Sequence, residues 1–95
     1  MNFTLSTTLW KYPSQAAAWY FITINPEITA KIKALPRPKK GWGSVRVKAT
    51  IGKTTWETSI FPSKEGVYIL PIKANVRKAE DIFEGETVKI LLQVA

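Results

Sequence analysis

A mostly-β domain, built either as a small mixed barrel or as an α+β sheet, is predicted by three observations. Six runs of the chain carry the two-residue alternation, or the dense β-branched and aromatic content, of strands. Two short segments carry helical spacing. The 95 residues show no internal repeat and no composition break, so they form one domain, residues 1–95.

The first strand is "NFTLSTTLWKY", where Phe3, Leu5, Thr7 and Leu9 alternate with Thr4, Ser6, Thr8 and Trp10. After a turn at Pro13–Gln15, "AWYFITI" (Ala18–Ile24) is apolar on both faces and is expected to be a central strand covered on both sides. "NPEITAKIKALP" then reads as a helix. Asn25 caps it, Pro26 takes the first position, Glu27 complements the dipole, and Ile28, Ile32 and Leu35 make one apolar stripe. Pro36 stops it, and "PRPKKG" is a stiff basic connector.

A hairpin centred on Gly52-Lys53 follows, Gly supplying the positive φ of a two-residue turn. Folding there pairs Ile51 with Thr54, Ala49 with Trp56, Val47 with Thr58 and Val45 with Ile60 on one face. The other face pairs Thr50 with Thr55, Lys48 with Glu57 and Arg46 with Ser59, so an ion pair is expected between Lys48 and Glu57. Trp10, Trp19 and Trp56 are assigned to the core. "FPSKEG" is a loop and "VYILPI" (Val67–Ile72) a strand. "NVRKAEDI" is a short helix with Asn75 as its cap and Val76, Ala79 and Ile82 inward. "TVKILLQV" closes the chain with Val88, Ile90, Leu92 and Val94 on one face.

The net charge of +7 is unevenly spread. Residues 31–53 hold eight basic residues and no acidic one, while residues 1–30 are neutral and residues 54–95 carry −1. A localised positive field of this kind attracts anions without specifying which. No apolar run approaches the ~18–20 residues of a membrane span, and "MNFTLSTTLW" lacks the charged and apolar regions of a secretory leader. A cytoplasmic protein with no membrane partner is expected. The absence of cysteine removes disulfides and thiolate chemistry.

The stretch "GWGSVRVKATIGKTTWETSIFPSKEGVYILPIKANVRKAEDIFEGETVKILLQV" resembles the bacterial domain-of-unknown-function family 1905. The likeness rests on Gly41-Trp42-Gly43, the Ala49–Gly52 turn, Trp56–Pro62, Leu70–Lys73, Arg77–Ala79 and Gly85–Val88, and the "NPEITAKIK" helix also fits. The resemblance implies a compact closed β-barrel of about six strands with two short peripheral helices. It supplies no activity, although some members look to be fused to a YdeI/OmpD-associated domain. A fainter likeness to the AbrB-like swapped hairpin fails on spacing, since Pro71 and Arg77 stand too far apart.

No catalytic residue is expected. The chain has no histidine or cysteine, and Ser44 leads into a strand with no nucleophile-elbow glycine after it. Glu80, Asp81, Glu84 and Glu86 cluster without the alternating oxygen ligands of a calcium loop, so they read as a solvated helix end and no metal or cofactor is expected. Gly-Trp-Gly is not a phosphate loop, because no Gly-Lys-Ser/Thr follows. Its glycines serve a strand entry, with Trp42 capping the barrel or forming a pocket wall where Gly43 admits a ligand. The candidate ligand-binding residues are therefore Lys39, Lys40, Trp42, Gly43, Arg46 and Arg77. An anion pocket results if the fold brings Arg46 near Arg77. The expected role is a non-catalytic binding or adaptor module for an anionic small molecule or protein. The alternative is nucleic-acid binding through residues 37–53, cations tracking phosphates while an aromatic stacks on a base.

Overall fold

The computed structural model describes residues 1–13, 18–35 and 43–94. The chain runs β1 (Asn2–Thr8), β2 (Trp10–Tyr12), β3 (Trp19–Thr23), α1 (Pro26–Lys33), β4 (Val45–Ile51), β5 (Thr54–Pro62), β6 (Tyr68–Pro71), α2 (Ala74–Glu80) and β7 (Thr87–Val94). The strands form one antiparallel sheet in the order β1-β7-β4-β5-β6-β3-β2. No helix among the described residues is long and apolar enough to cross a membrane.

The expected closed barrel of about six strands is corrected to an open half-barrel of seven. The extra strand arises at Leu9. There the first run bends: the Leu9 N–H donates to the Glu86 carbonyl (3.0 Å) and its carbonyl accepts from the Gly85 N–H (2.9 Å). The chain thus leaves β7 as β1 and joins β3 as β2. Closure needs a continuous staggered ladder, and among the described residues none links β1 to β3. A side chain spans that seam instead: Thr7 Oγ1 donates to the Thr23 carbonyl (3.1 Å), while Trp10 Nε1, on β2 already paired with β3, donates to Thr23 Oγ1 (2.9 Å).

The inner face of the half-barrel holds the core. Every second residue of β7 is buried (Val88, Ile90, Leu92, Val94), as are Val45, Val47, Ala49 and Ile51 of β4. Helix α1 closes over this face with Ile28 and Ile32. Asn25 caps it by accepting from the Ile28 N–H at 2.8 Å, and Pro26 begins it. Buried Thr29 ties the helix to the sheet, donating to the Ile24 carbonyl and accepting from the Tyr68 N–H, both at 3.2 Å. A buried hydroxyl satisfied twice over fixes how the helix seats.

The β4–β5 hairpin has the expected register at all seven pairs. Lys48 and Glu57 face each other without forming an ion pair; both side chains are exposed, where such a pair gains little. Helix α2 is capped by the extended backbone of Lys73 rather than by Asn75, and ends on Asp81 in the left-handed conformation (φ 54). Val76 is its buried residue and Ala79 is exposed.

Strand β3 is not covered on both faces. Ile22 and Ile24 point into the core, while Phe21 on the outer face meets Trp10 (centroids 5.1 Å apart) and Tyr12 (6.4 Å). Those outer aromatics explain why the strand reads as apolar throughout. Of the tryptophans assigned to the core, Trp10 and Trp56 are half-buried, whereas Trp19 is 55% exposed.

Candidate functional site

Strand β6 contributes to β5 for only two pairs, Phe61–Ile69 and Pro62–Tyr68, although β5 continues along β4 for seven. Extending that register would set Ser59 opposite Pro71. Proline has no N–H to give, and its residue is already paired with Phe21 of β3. The chain then departs: the Ile72 N–H donates to the Tyr20 carbonyl at 2.8 Å, Lys73 stays extended and α2 begins. Strands β5 and β6 therefore part, leaving a notch of about 510 Å³ between β5 on one side and β3 with the start of α2 on the other.

Three cations line this notch: Arg46 from β4, Lys73 and Arg77 from α2 and its cap. Among the described residues that line it there is no carboxylate. Arg77 is held on two sides. Its Nε donates to the Ile72 carbonyl at 3.2 Å, and its guanidinium carbon lies 3.8 Å over the centre of the Tyr20 ring. Cation–π stacking at that distance is favourable and fixes the guanidinium plane. Its terminal nitrogens have no acceptor among the described residues. Arg46 is exposed, with a long contact of 3.4 Å from Nη1 to Ser59 Oγ. Two guanidinium groups and an ammonium lining one concavity give it a positive potential.

The rest of the lining is largely apolar. Trp19 and Phe61, 55% and 41% exposed, stand at the rim, with Pro71 and Ile72 between. Thr58 and Ser59 supply hydroxyls. Arg46 also borders a second concavity of about 380 Å³, shared with the Met1 segment, Lys48, Glu57 and Gln93.

Of the six candidate residues, the fold brings Arg46 and Arg77 together on the notch. Gly43 is not part of it; with φ 81 it sets the entry to β4, the backbone role anticipated for that glycine. Lys39, Lys40 and Trp42 lie outside the described residues. Among the described residues the wall-forming aromatics are Trp19, Tyr20 and Phe61, and Lys73 joins Arg46 and Arg77 as a third cation. Two of these were detectable. In β5, Phe61 falls on the outward phase with Arg46's partner Ser59, where a polar residue is usual. In β3, Trp19 falls opposite the Ile22–Ile24 phase.

The family model described as Domain of unknown function (DUF1905) matches residues 6–92. The chain belongs to this family. The match runs from β1 through β7 and so includes both walls of the notch and α2. No curated protein matches the chain. The DUF1905 description names no activity.

Proposed function

We propose that this protein is a non-catalytic binding module that takes an anionic small molecule, or an anionic group of a partner protein, in the notch between β5 and β3. One observation carries the reading: Arg46 of β4 and the Lys73–Arg77 pair of α2 and its cap line a single cavity with no carboxylate among its described lining. An arginine positioned by a backbone carbonyl and an aromatic ring, its terminal nitrogens without an acceptor among the described residues, is a ready receptor for carboxylate or phosphate. The described lining also lacks imidazole, thiol and carboxylate, which supports binding rather than catalysis.

The test is thermal unfolding in phosphate, sulfate and citrate at fixed ionic strength. A ligand at ~100 times its Kd adds about 2.7 kcal/mol of stability, a readily measured rise in Tm. Arg46→Gln and Arg77→Gln should each shrink the rise. A Tm indifferent to all three anions, or a rise that both variants retain, would sink the reading.

The alternative, nucleic-acid binding along residues 37–53, is favoured by the exposure of Arg46 and Lys48 on the outer face of β4. It predicts affinity for DNA or RNA that falls steeply with salt, with the slope reduced by Lys39→Ala, Lys40→Ala and Arg46→Glu. Absence of binding at ~50 mM salt, where such contacts are strongest, refutes it.

A further inference from the structure

We infer that the notch is a site for a nucleoside phosphate, its base stacked at the Trp19–Phe61 rim and its phosphate held by Arg46 and Arg77, a proposal that rests on the anion-site reading.

The cations do not by themselves select this ligand; the aromatics beside them do. Exposure alone does not single these rings out, since Tyr12 and Phe83 are 50% and 64% exposed, but Tyr12 meets Phe21 edge-on and neither it nor Phe83 lines the cationic cavity. Trp19 and Phe61 stay 55% and 41% exposed while lining the same cavity as three cations. A rigid ring left in water next to fixed positive charge is the pairing that recognises nucleotides, since every base offers a π-face while cations follow its phosphate.

The remaining groups fit the same ligand. Three positive charges without a carboxylate match a phosphate dianion better than a single carboxylate. The planar fork of Arg77, already oriented by Tyr20 and the Ile72 carbonyl, suits two-point contact with phosphate oxygens. Thr58 is largely buried on the notch wall, yet its hydroxyl takes no partner among the described residues, leaving it for a ribose or base edge. About 510 Å³ lies in the range of small-ligand sites and accommodates one nucleotide unit. A strand would have to continue past Arg46 into the second concavity. Lys48 favours that course and Glu57 opposes it.

The experiment is calorimetric titration of the whole chain with AMP, ribose 5-phosphate, adenosine and a short oligothymidylate at one ionic strength. AMP is expected to bind about tenfold or more tighter than ribose 5-phosphate, the increment of one stacked base. Trp19→Ala should erase that difference while leaving ribose 5-phosphate unchanged, and Arg46→Gln and Arg77→Gln should weaken both phosphates. Trp19-dependent binding of oligothymidylate without AMP binding supports the same site with a strand as the source. If AMP and ribose 5-phosphate bind alike and oligothymidylate binding ignores Trp19→Ala, the nucleoside assignment falls and the anion site survives. If no phosphate compound binds, the nucleoside assignment falls, and the anion site falls with it when sulfate and citrate also leave the Tm unchanged. Because Trp19 is exposed, an unchanged Tm of Trp19→Ala confirms that the variant reports on the ligand rather than on folding.

Discussion

The turn of the β4–β5 hairpin touches α2, the helix that carries Arg77, and that contact yields a separable prediction. Gly52 has φ 57, and a Cβ added there would collide with the Glu80 carboxylate. Glu80 is not free to swing aside without loss, because Thr54 Oγ1 donates to its Oε2 at 2.6 Å. Gly52→Ala therefore has two costs. Placing an L-residue in the left-handed region costs about 1–2 kcal/mol, partly offset by about 0.4–1 kcal/mol from the stiffer unfolded chain, a net of about 1 kcal/mol. Displacing Glu80 forfeits a hydrogen bond to a charged group, about 1.5–3 kcal/mol in general and about 1 kcal/mol at this partly exposed site. The sum of about 2 kcal/mol corresponds to roughly 8–16 °C in Tm for a domain of this size. In a Glu80→Ala background only the backbone cost remains, about 1 kcal/mol or roughly 4–8 °C. Urea unfolding followed by tryptophan fluorescence, for the two single variants and the double, measures the cycle. Gly52→Ala costs that agree in the two backgrounds within ~0.5 kcal/mol would show that α2 does not rest on the turn.

Three further outcomes follow from named contacts. Leu92→Ala empties a fully buried site between β1 and β4 and should cost about 2–5 kcal/mol in denaturant unfolding; a loss under 1 kcal/mol would mean the core relaxes around it. Asn25→Ala removes the cap on α1 and should cost about 1 kcal/mol, whereas Asn25→Asp should restore nearly all of it in the same assay. Lys48→Gln should change stability by less than about 0.5 kcal/mol with no dependence on salt, since Lys48 and Glu57 make no ion pair; a larger, salt-sensitive loss would contradict the observed geometry.

The hairpin was legible because every local cue agreed. Gly52-Lys53 specified the turn, the alternation specified the faces, and a slip by one residue would have exposed Val45, Val47 and Ile51. Helix α1 was legible for the same reason, with cap, proline and stripe reinforcing each other. Where cues were ambiguous the reading failed. Apolar residues on both faces of β3 look the same whether a second layer covers them or, as here, neighbouring aromatics do. Asn75 is a good cap by residue type, but the backbone turned into α2 earlier, at Lys73, because Ile72 is drawn to the Tyr20 carbonyl. The meeting of Arg46 and Arg77 was anticipated only as a condition. Its fulfilment depends on where β6 leaves β5, a tertiary event that no local periodicity records.

That departure turns on Pro71. On one side it pairs with Phe21 and keeps β6 beside β3; on the other it has no N–H with which to continue toward Ser59. The flanking residues Leu70 and Ile72 are both buried, so the backbone cannot drift back to close the gap. The same residue thus ends the ladder, opens the notch and directs the chain into the helix that delivers Arg77 over Tyr20. A site formed by a strand leaving its neighbour is built into the buried backbone rather than into a loop. Its walls are therefore set by the fold, and the anion binding proposed for it should depend on the side chains at its rim more than on rearrangement of the sheet.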